Sequence, residues 1–457
     1  MAPVDKWLFS SESGATVIGR RAVVTRSAQA AAATTAILLT PASAPAQAAK
    51  PEAPPPKDAA DRLLSGQAWE DFCDELRLAG RYIDRFGSLP TDLDRAEWYR
   101  FVSRLARNGL ERFVENCEAN RPRLREPSWR TSINVTSPDQ DHLLLEFDEA
   151  ADYRVTGNRG TIPYFVAVAW TGAIPKDFGA QNWAPRGAEG LKEFDPAVLH
   201  TTAMLQSDAI KFEPNGDFEI IASQNKHDGN WLPLQTDSVG IFIRIIYHDR
   251  AKDHPPAFRV ERLDKAKPIP ITPADVSRGL AKAGQDVFGN VEITRAWWQD
   301  NLGERLNRIR FSRSTYLNFG GVGDRQFGFG AWKKPADAAL VLEFTPPECD
   351  FWIFQLCNLW QENLDDYEEG QGYVTKFNAR YEPDGSIRVI VAEASPGIGG
   401  NWVNSYGHTQ GVMGLRLIKT TGVPSVTSYL MPLQTLRQGG WESLKRQTPM
   451  VSGEVTK

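Results

Sequence analysis

The feature that most limits how this chain can fold is an internal repeat. Phe212-Glu213-Pro214-Asn215-Gly216 leads to Phe218, Ile220 and Ile221, then to Gly229-Asn230-Trp231, then to Gly240-Ile241-Phe242-Ile243-Arg244-Ile245. The same order returns as Tyr381-Glu382-Pro383-Asp384-Gly385, then Ile387, Val389 and Ile390, then Gly400-Asn401-Trp402, then Gly411-Val412-Met413-Gly414-Leu415-Arg416-Leu417. The offset is 169 at the turn, 171 at the Asn-Trp pair and 172 at the arginine. Three blocks in one order, with two small gaps, predict a duplicated unit. Asn-Gly and Asp-Gly suit the left-handed backbone of a tight hairpin turn. The alternation after each turn gives a strand one buried face. Upstream, 162–170 and 350–360 match loosely as core strands ending in Trp170 and Trp360.

Short strands without βαβ alternation predict tandem antiparallel β-sandwich or jelly-roll-like units, a mainly β chain with α additions. The 457 residues allow two or three domains. Ahead of the repeats, Leu64, Trp69, Phe72, Leu76, Ala79 and Ile83 fall near one face of a helix that Gly87 and Pro90 end. A second helix is predicted over 93–117, capped by Asp92 or Asp94. Between the repeats, Thr272-Pro273-Ala274-Asp275 starts a helix running to about Asn301, expected to pack one sandwich against the other. The expected organisation is a leader at 1–57, a helical module at 58–130, a first β unit at 131–265, a connecting helix at 266–307, a second β unit at 308–425 and a tail at 426–457. The Gly- and Pro-rich stretch 171–208 is a candidate lid.

The leader has the composition of an export signal. Arg20-Arg21 precedes a mild apolar stretch from Ala28 to Leu39, and Ala44-Pro45-Ala46-Gln47-Ala48 offers small residues for cleavage near Ala48. Weak hydrophobicity with paired arginines favours the twin-arginine route. Cleavage there removes four positive and two negative charges and leaves a net charge of −7. The expected location is periplasmic or secreted if the signal is used, and cytoplasmic otherwise. A net charge of −5 lacks the basic excess of a general nucleic-acid binder. No run of 18 apolar residues predicts a membrane span. Four Cys exclude a disulfide scaffold, although Cys73 and Cys117 sit one on each predicted helix.

The second copy carries a resemblance. Arg313-Ser314-Thr315-Tyr316-Leu317-Asn318-Phe319-Gly320-Gly321, Phe327-Gly328-Phe329-Gly330-Ala331-Trp332, Ala339-Leu340-Val341-Leu342-Glu343 and Pro346-Pro347-Glu348-Cys349-Asp350-Phe351-Trp352 stand in order before Pro396-Gly397, Asn401-Trp402 and Gly407-His408-Thr409-Gln410-Gly411. Ahead of them come Ala96-Glu97-Trp98-Tyr99-Arg100-Phe101 and Tyr153-Arg154-Val155-Thr156-Gly157. This ordered set resembles the domain-of-unknown-function 1214 family, in its long form, over about residues 60–420. The resemblance implies a β-rich, jelly-roll-like architecture, frequent oligomers and no agreed activity. The positions often repeated in that family correspond here to Asn401, Trp402, Gly407, His408 and Arg416. The chain departs from the pattern at Asn404-Ser405-Tyr406, where an Asp or Thr and a small residue are frequent.

His408, in a Gly-bracketed loop between strands, is the first candidate for acid–base chemistry, with Tyr406 beside it. A histidine capping a backbone carbonyl is the structural alternative. Arg416 and Arg244 sit inside apolar strands and need acceptors, either Glu343 or Asp237 within the chain or the anionic group of a ligand. Asn401, Trp402, Arg313, Tyr316, Trp332 and Trp360 complete the candidate ligand-binding set, and core packing is the alternative for the aromatics. The group at His248, Asp249, Asp253 and His254 has no metal-ligand spacing, and the acidic loop at Asp365, Asp366, Glu368 and Glu369 lacks the glycine of a calcium loop. No metal or cofactor is expected. Two functions follow: a ligand-handling envelope protein, enzymatic on a carbohydrate or lipid-like compound, or a non-catalytic binding protein that assembles through an aromatic surface.

Overall fold

The structure is a computed structural model. It describes residues 58–118, 120–125, 137–147, 151–171, 200–303, 305–311, 323, 325–364 and 371–452. The leader, residues 172–199 of the candidate lid, Arg313, Tyr316 and the acidic loop at 365–369 lie outside the described residues.

The N-terminal module begins with α1 (Ala59–Leu64) and α2 (Gln67–Arg81), which runs into a 3-10 turn at Tyr82–Phe86. One continuous helix was the expectation. Gly66, at φ 83°, breaks it, and Leu64 and Trp69 beside that break are exposed. Helix α3 (Asp92–Leu110) ends in a π turn at Glu111–Glu115. Its cap is Thr91, not an aspartate: the Thr91 hydroxyl accepts from the Asp94 amide, and the Asp94 carboxylate accepts from the Thr91 amide. Thr272 and Asp275 exchange the same bonds at the start of the long helix α4 (Pro273–Gly303).

The first β unit contains β1 (Gln140–Glu146), β2 (Tyr153–Asn158), β3 (Tyr164–Thr171), β4 (His200–Gln206), β5 (Asp217–Ser223), β6 (Trp231–Pro233), β7 (Ser238–Ile246) and β8 (Ala257–Arg262). They form two sheets, ordered β1-β7-β3-β4 and β6-β5-β2-β8. The second unit contains β9 (Arg310–Phe311), β10 (Arg325–Lys333), β11 (Ala338–Phe344), β12 (Phe351–Cys357), β13 (Tyr373–Thr375), β14 (Ile387–Ala392), β15 (Asn401–Asn404), β16 (Gln410–Ile418), β17 (Thr427–Pro432) and β18 (Met450–Val451). Its sheets are ordered β9-β10-β16-β12-β13 and β15-β14-β11-β17-β18. The order β1-β7-β3-β4 corresponds to β10-β16-β12-β13, and β6-β5-β2-β8 to β15-β14-β11-β17, with β9 and β18 added at the edges of the second copy. In both copies the pairing beside the Asn-Trp strand is parallel and the others are antiparallel. The second sandwich takes in β17, past residue 425, and helix α5 (Leu433–Gly439) packs beside it.

Side-chain alternation sets the layering. In the first copy Ile241, Ile243 and Ile245 of β7 face Val155, Phe218 and Ile220, while Phe242, Arg244 and Ile246 take the other face. In the second copy Met413, Leu415 and Leu417 of β16 face Leu340, Leu342 and Val389, leaving Arg416 and Ile418 outside. The two outer faces meet: Tyr164, Val166, Val168 and Ile246 pack on Phe351, Ile353, Tyr373 and Ile418. The rest of the second copy's outer face, Phe327, Phe329, Ala331 and Val412, lies under Trp98, Phe101, Leu105, Val291 and Trp298 of α3 and α4. Helix α4 thus packs with α1, α2 and α3 and on β10 of the second sandwich, and its Asp286 is joined through Arg112 to Glu146 of β1 in the first.

Candidate functional site

The Asn-Trp pairs do the same work in both copies. Asn401 Nδ2 donates to the carbonyls of Arg380 and Arg388, and its Oδ1 accepts from the Arg380 amide. Asn230 makes the matching three bonds, to Lys211, Glu219 and the Lys211 amide. The indole of Trp402 donates to the Ala392 carbonyl, and that of Trp231 to the Ser223 carbonyl. Each Asn-Trp therefore clips its turn to the neighbouring strand, with its polar atoms committed to backbone. Trp332 and Trp360 are fully buried, their indoles on the carbonyls of Cys357 and Asp94. With Trp352 they line cores, so these three tryptophans are interior, while Phe377 and Tyr381 of the same copy are exposed.

His408 is buried between the second sandwich and helix α3. Its Nδ1 lies 3.0 Å from the Ser405 carbonyl and its Nε2 lies 2.9 Å from Glu97 Oε2. Both ring nitrogens face acceptors, an arrangement that only the doubly protonated ring satisfies fully. Burial alone would lower its pKa. The hydrogen bond and charge of Glu97, helped by the Ser405 carbonyl, outweigh burial, and the net shift is upward. Around it, Asn358 donates to Glu97 and Glu362, Arg104 pairs with Glu362, and Gln410 donates to Asp94 and the Leu89 carbonyl. Burial raises the Glu362 pKa against the opposing charge of Arg104. This polar network joins the helical module to the second sandwich, and both nitrogens of His408 are used in it. Tyr406, at φ 46°, sits in the same turn with its hydroxyl buried.

The two repeated arginines stand on the outer faces of β7 and β16, along the seam between the sandwiches and away from His408. Arg416 Nη1 donates to Gln355 Oε1 at 3.3 Å, and its guanidinium lies 4.3 Å from the Phe327 ring centroid. Arg244 stacks at 4.4 Å on Phe242. Neither takes Glu343, which pairs with Arg388. A third arginine of the seam, Arg325, 5% exposed, donates to the Tyr164 hydroxyl at 3.3 Å, and that hydroxyl donates to Gln206 at 2.8 Å. His142, opposite Arg244 in the sheet register, completes the group, its ring 4.8 Å from Phe242. Burial, then the charges of Arg244, Arg416, Arg325 and Arg250, hold its pKa well below the usual imidazole range. Its Nε2 is buried and has no hydrogen-bond partner among the described residues.

Sequence reasoning picked out Arg244 and Arg416 but not Arg325, His142, Glu97 or Glu362. For His142 the legible signal was a lone polar residue facing the same way as the arginine of the paired strand. For Glu97 no local pattern pointed to His408. Among the described residues no three His, Cys, Asp or Glu side chains gather as a metal site, no helix is long and apolar enough to cross a membrane, and all four cysteines are free.

Comparison with known proteins agrees with the architecture. The model of a family described as "protein of unknown function (DUF1214)" matches residues 336–421, from β11 to just past β16. A crystal structure of an uncharacterized protein from Burkholderia cenocepacia is 31% identical, with a TM-score of 0.74, over 82% of this chain and 100% of that one. A protein from Vibrio parahaemolyticus is 11% identical over 78% of this chain and 98% of its own, with a TM-score of 0.39. No curated protein matches the chain. The family match over the second copy and the full-length likeness to the Burkholderia protein together make this chain a member of the DUF1214 family.

Proposed function

We propose that this protein binds a small anionic organic molecule between its two sandwiches, on the guanidinium groups of Arg244, Arg325 and Arg416. The observation that carries this reading is the set of arginines along the seam between the two sandwiches, Arg244, Arg325 and Arg416, each with its guanidinium beside an aromatic ring, Phe242, Tyr164 and Phe327. Guanidinium groups match carboxylate and phosphate oxygens through paired N–H donors. Tyr164, Phe242, Phe327 and Tyr373 border the group and suit an apolar or ring-shaped body. His408 then serves as the joint that holds helix α3 against the sandwich, not as an acid or base. Export by the leader would place this binding in the envelope, which a mature N-terminus near Ala49 would support.

Calorimetric titration of the full chain with benzoate and with inorganic phosphate tests the reading. At least one anion should bind to the wild type and lose tenfold or more in affinity in Arg416→Gln and in Arg244→Gln. Absence of binding by both probes would overturn the reading.

A further inference from the structure

The connection between β8 and α4 carries its prolines in a pattern that neither sandwich uses. Lys267-Pro268-Ile269-Pro270-Ile271-Thr272-Pro273 reaches α4 without a turn or bend, and every one of these residues is exposed, Ile269 to 52% and Ile271 to 54%. A residue that precedes proline is held extended, which applies here to Lys267, Ile269 and Thr272. Both ends are tied down: Asn120 Nδ2 donates to the Lys267 carbonyl at 3.3 Å, and the Thr272 amide donates to Asp275 at 2.8 Å. Between them, the amides of Ile269 and Ile271 have no hydrogen-bond partner among the described residues. Alternate residues of an extended chain turn their N–H and C=O groups to the same edge. Pro268 and Pro270 therefore leave one edge without donors, while Ile269 and Ile271 equip the other. Proline in a strand is confined to one that pairs on a single side, and an exposed edge of this kind is a template for another chain.

We infer that two molecules of this chain associate through Ile269 and Ile271, paired as an antiparallel ladder about a two-fold axis. The segment is complementary to itself in that sense. Ile269 of one molecule stands opposite Ile271 of the other and exchanges both backbone hydrogen bonds with it, and the axis repeats the exchange. Pro270 meets Pro270 on the axis, at the position where a ladder needs no N–H. The next pair outward sets Lys267 against Pro273, which has no N–H to give, and the Lys267 carbonyl is the one that Asn120 takes. Isoleucine side chains pack as cross-strand pairs on one face of the ladder. The antiparallel sense also carries the exposed Lys267 of each molecule toward Asp275 at the start of the other's α4. So short a ladder makes a weak dimer, populated as concentration rises.

Sedimentation velocity of the full chain, from low to high micromolar concentration, tests this. A monomer–dimer equilibrium is expected. Ile269→Pro keeps an apolar side chain but removes the N–H, and should raise the dimer dissociation constant tenfold or more. Pro268→Ala adds an N–H only to the edge that faces away, and should leave the constant unchanged. Both variants should unfold as the wild type does, because the segment is exposed. Pro270→Cys, placed on the axis, should give a disulfide-linked dimer on mild oxidation, in excess of any formed by the free cysteines of the wild type. A monomer at every concentration overturns the inference, and so does a dimer that Ile269→Pro leaves as stable as before.

Discussion

Single residues carry the clearest consequences. The His408 imidazolium is held by Glu97 and Ser405, so its folded pKa lies above the ordinary 6.5 or so of an unfolded chain. A group raised in this way contributes fully below that unfolded value and loses its contribution as pH rises through the folded one. His408→Ala should cost about 2–3 kcal/mol at pH 6 and less at pH 9, measured by urea unfolding. An identical pH dependence in wild type and variant would refute the charged joint. Asp139 runs the other way in cause, though not in slope. Burial raises its carboxyl to about 7, so the folded state holds a proton that the unfolded chain releases near 4, and stability falls between those values as pH rises. Asp139→Asn should therefore gain about 1–3 kcal/mol at pH 8 and little at pH 4. The arginine inside each repeated strand was legible from sequence because a charge there breaks an apolar pattern. Glu97 was not, because it lies 311 residues from His408 on a helix whose exposed face it would ordinarily share.

At the scale of elements, the duplication makes paired predictions. Gly216 and Gly385 adopt φ of 87° and 81° in turns with matching hydrogen bonds, from each glycine amide to the Glu213 and Glu382 carbonyls. Alanine at either position should cost about 1 kcal/mol through backbone strain. Asn230→Ala and Asn401→Ala should each cost about 2–3 kcal/mol, alike within error, since each loses three bonds to backbone. A large effect at Asn401 alone would point to a role the first copy lacks. The repeat was readable because turn glycines and strand alternation are local demands. The break at Gly66 was missed because helical periodicity runs through it, and β17 was missed because a short strand after Pro424 reads as tail.

For the whole molecule, the sandwich pair is best seen as two β layers turned outer face to outer face, with helices sharing the remaining area. Sequence alternation reveals that each strand has two faces. It does not reveal that a second sandwich will cover the outward one, and so the placing of Arg244, Arg325 and Arg416 along one seam emerges only in three dimensions. That seam is the basis of the proposed binding role, and it makes the junction of the copies, rather than the Gly407-His408 loop, the place to look for ligand. Native mass spectrometry of the full chain purified from its own cells examines this most directly. Binding predicts a discrete small anion that denaturation releases from the wild type and that is missing from an Arg244→Gln, Arg416→Gln double variant. The same anion retained by a folded double variant would contradict the assignment.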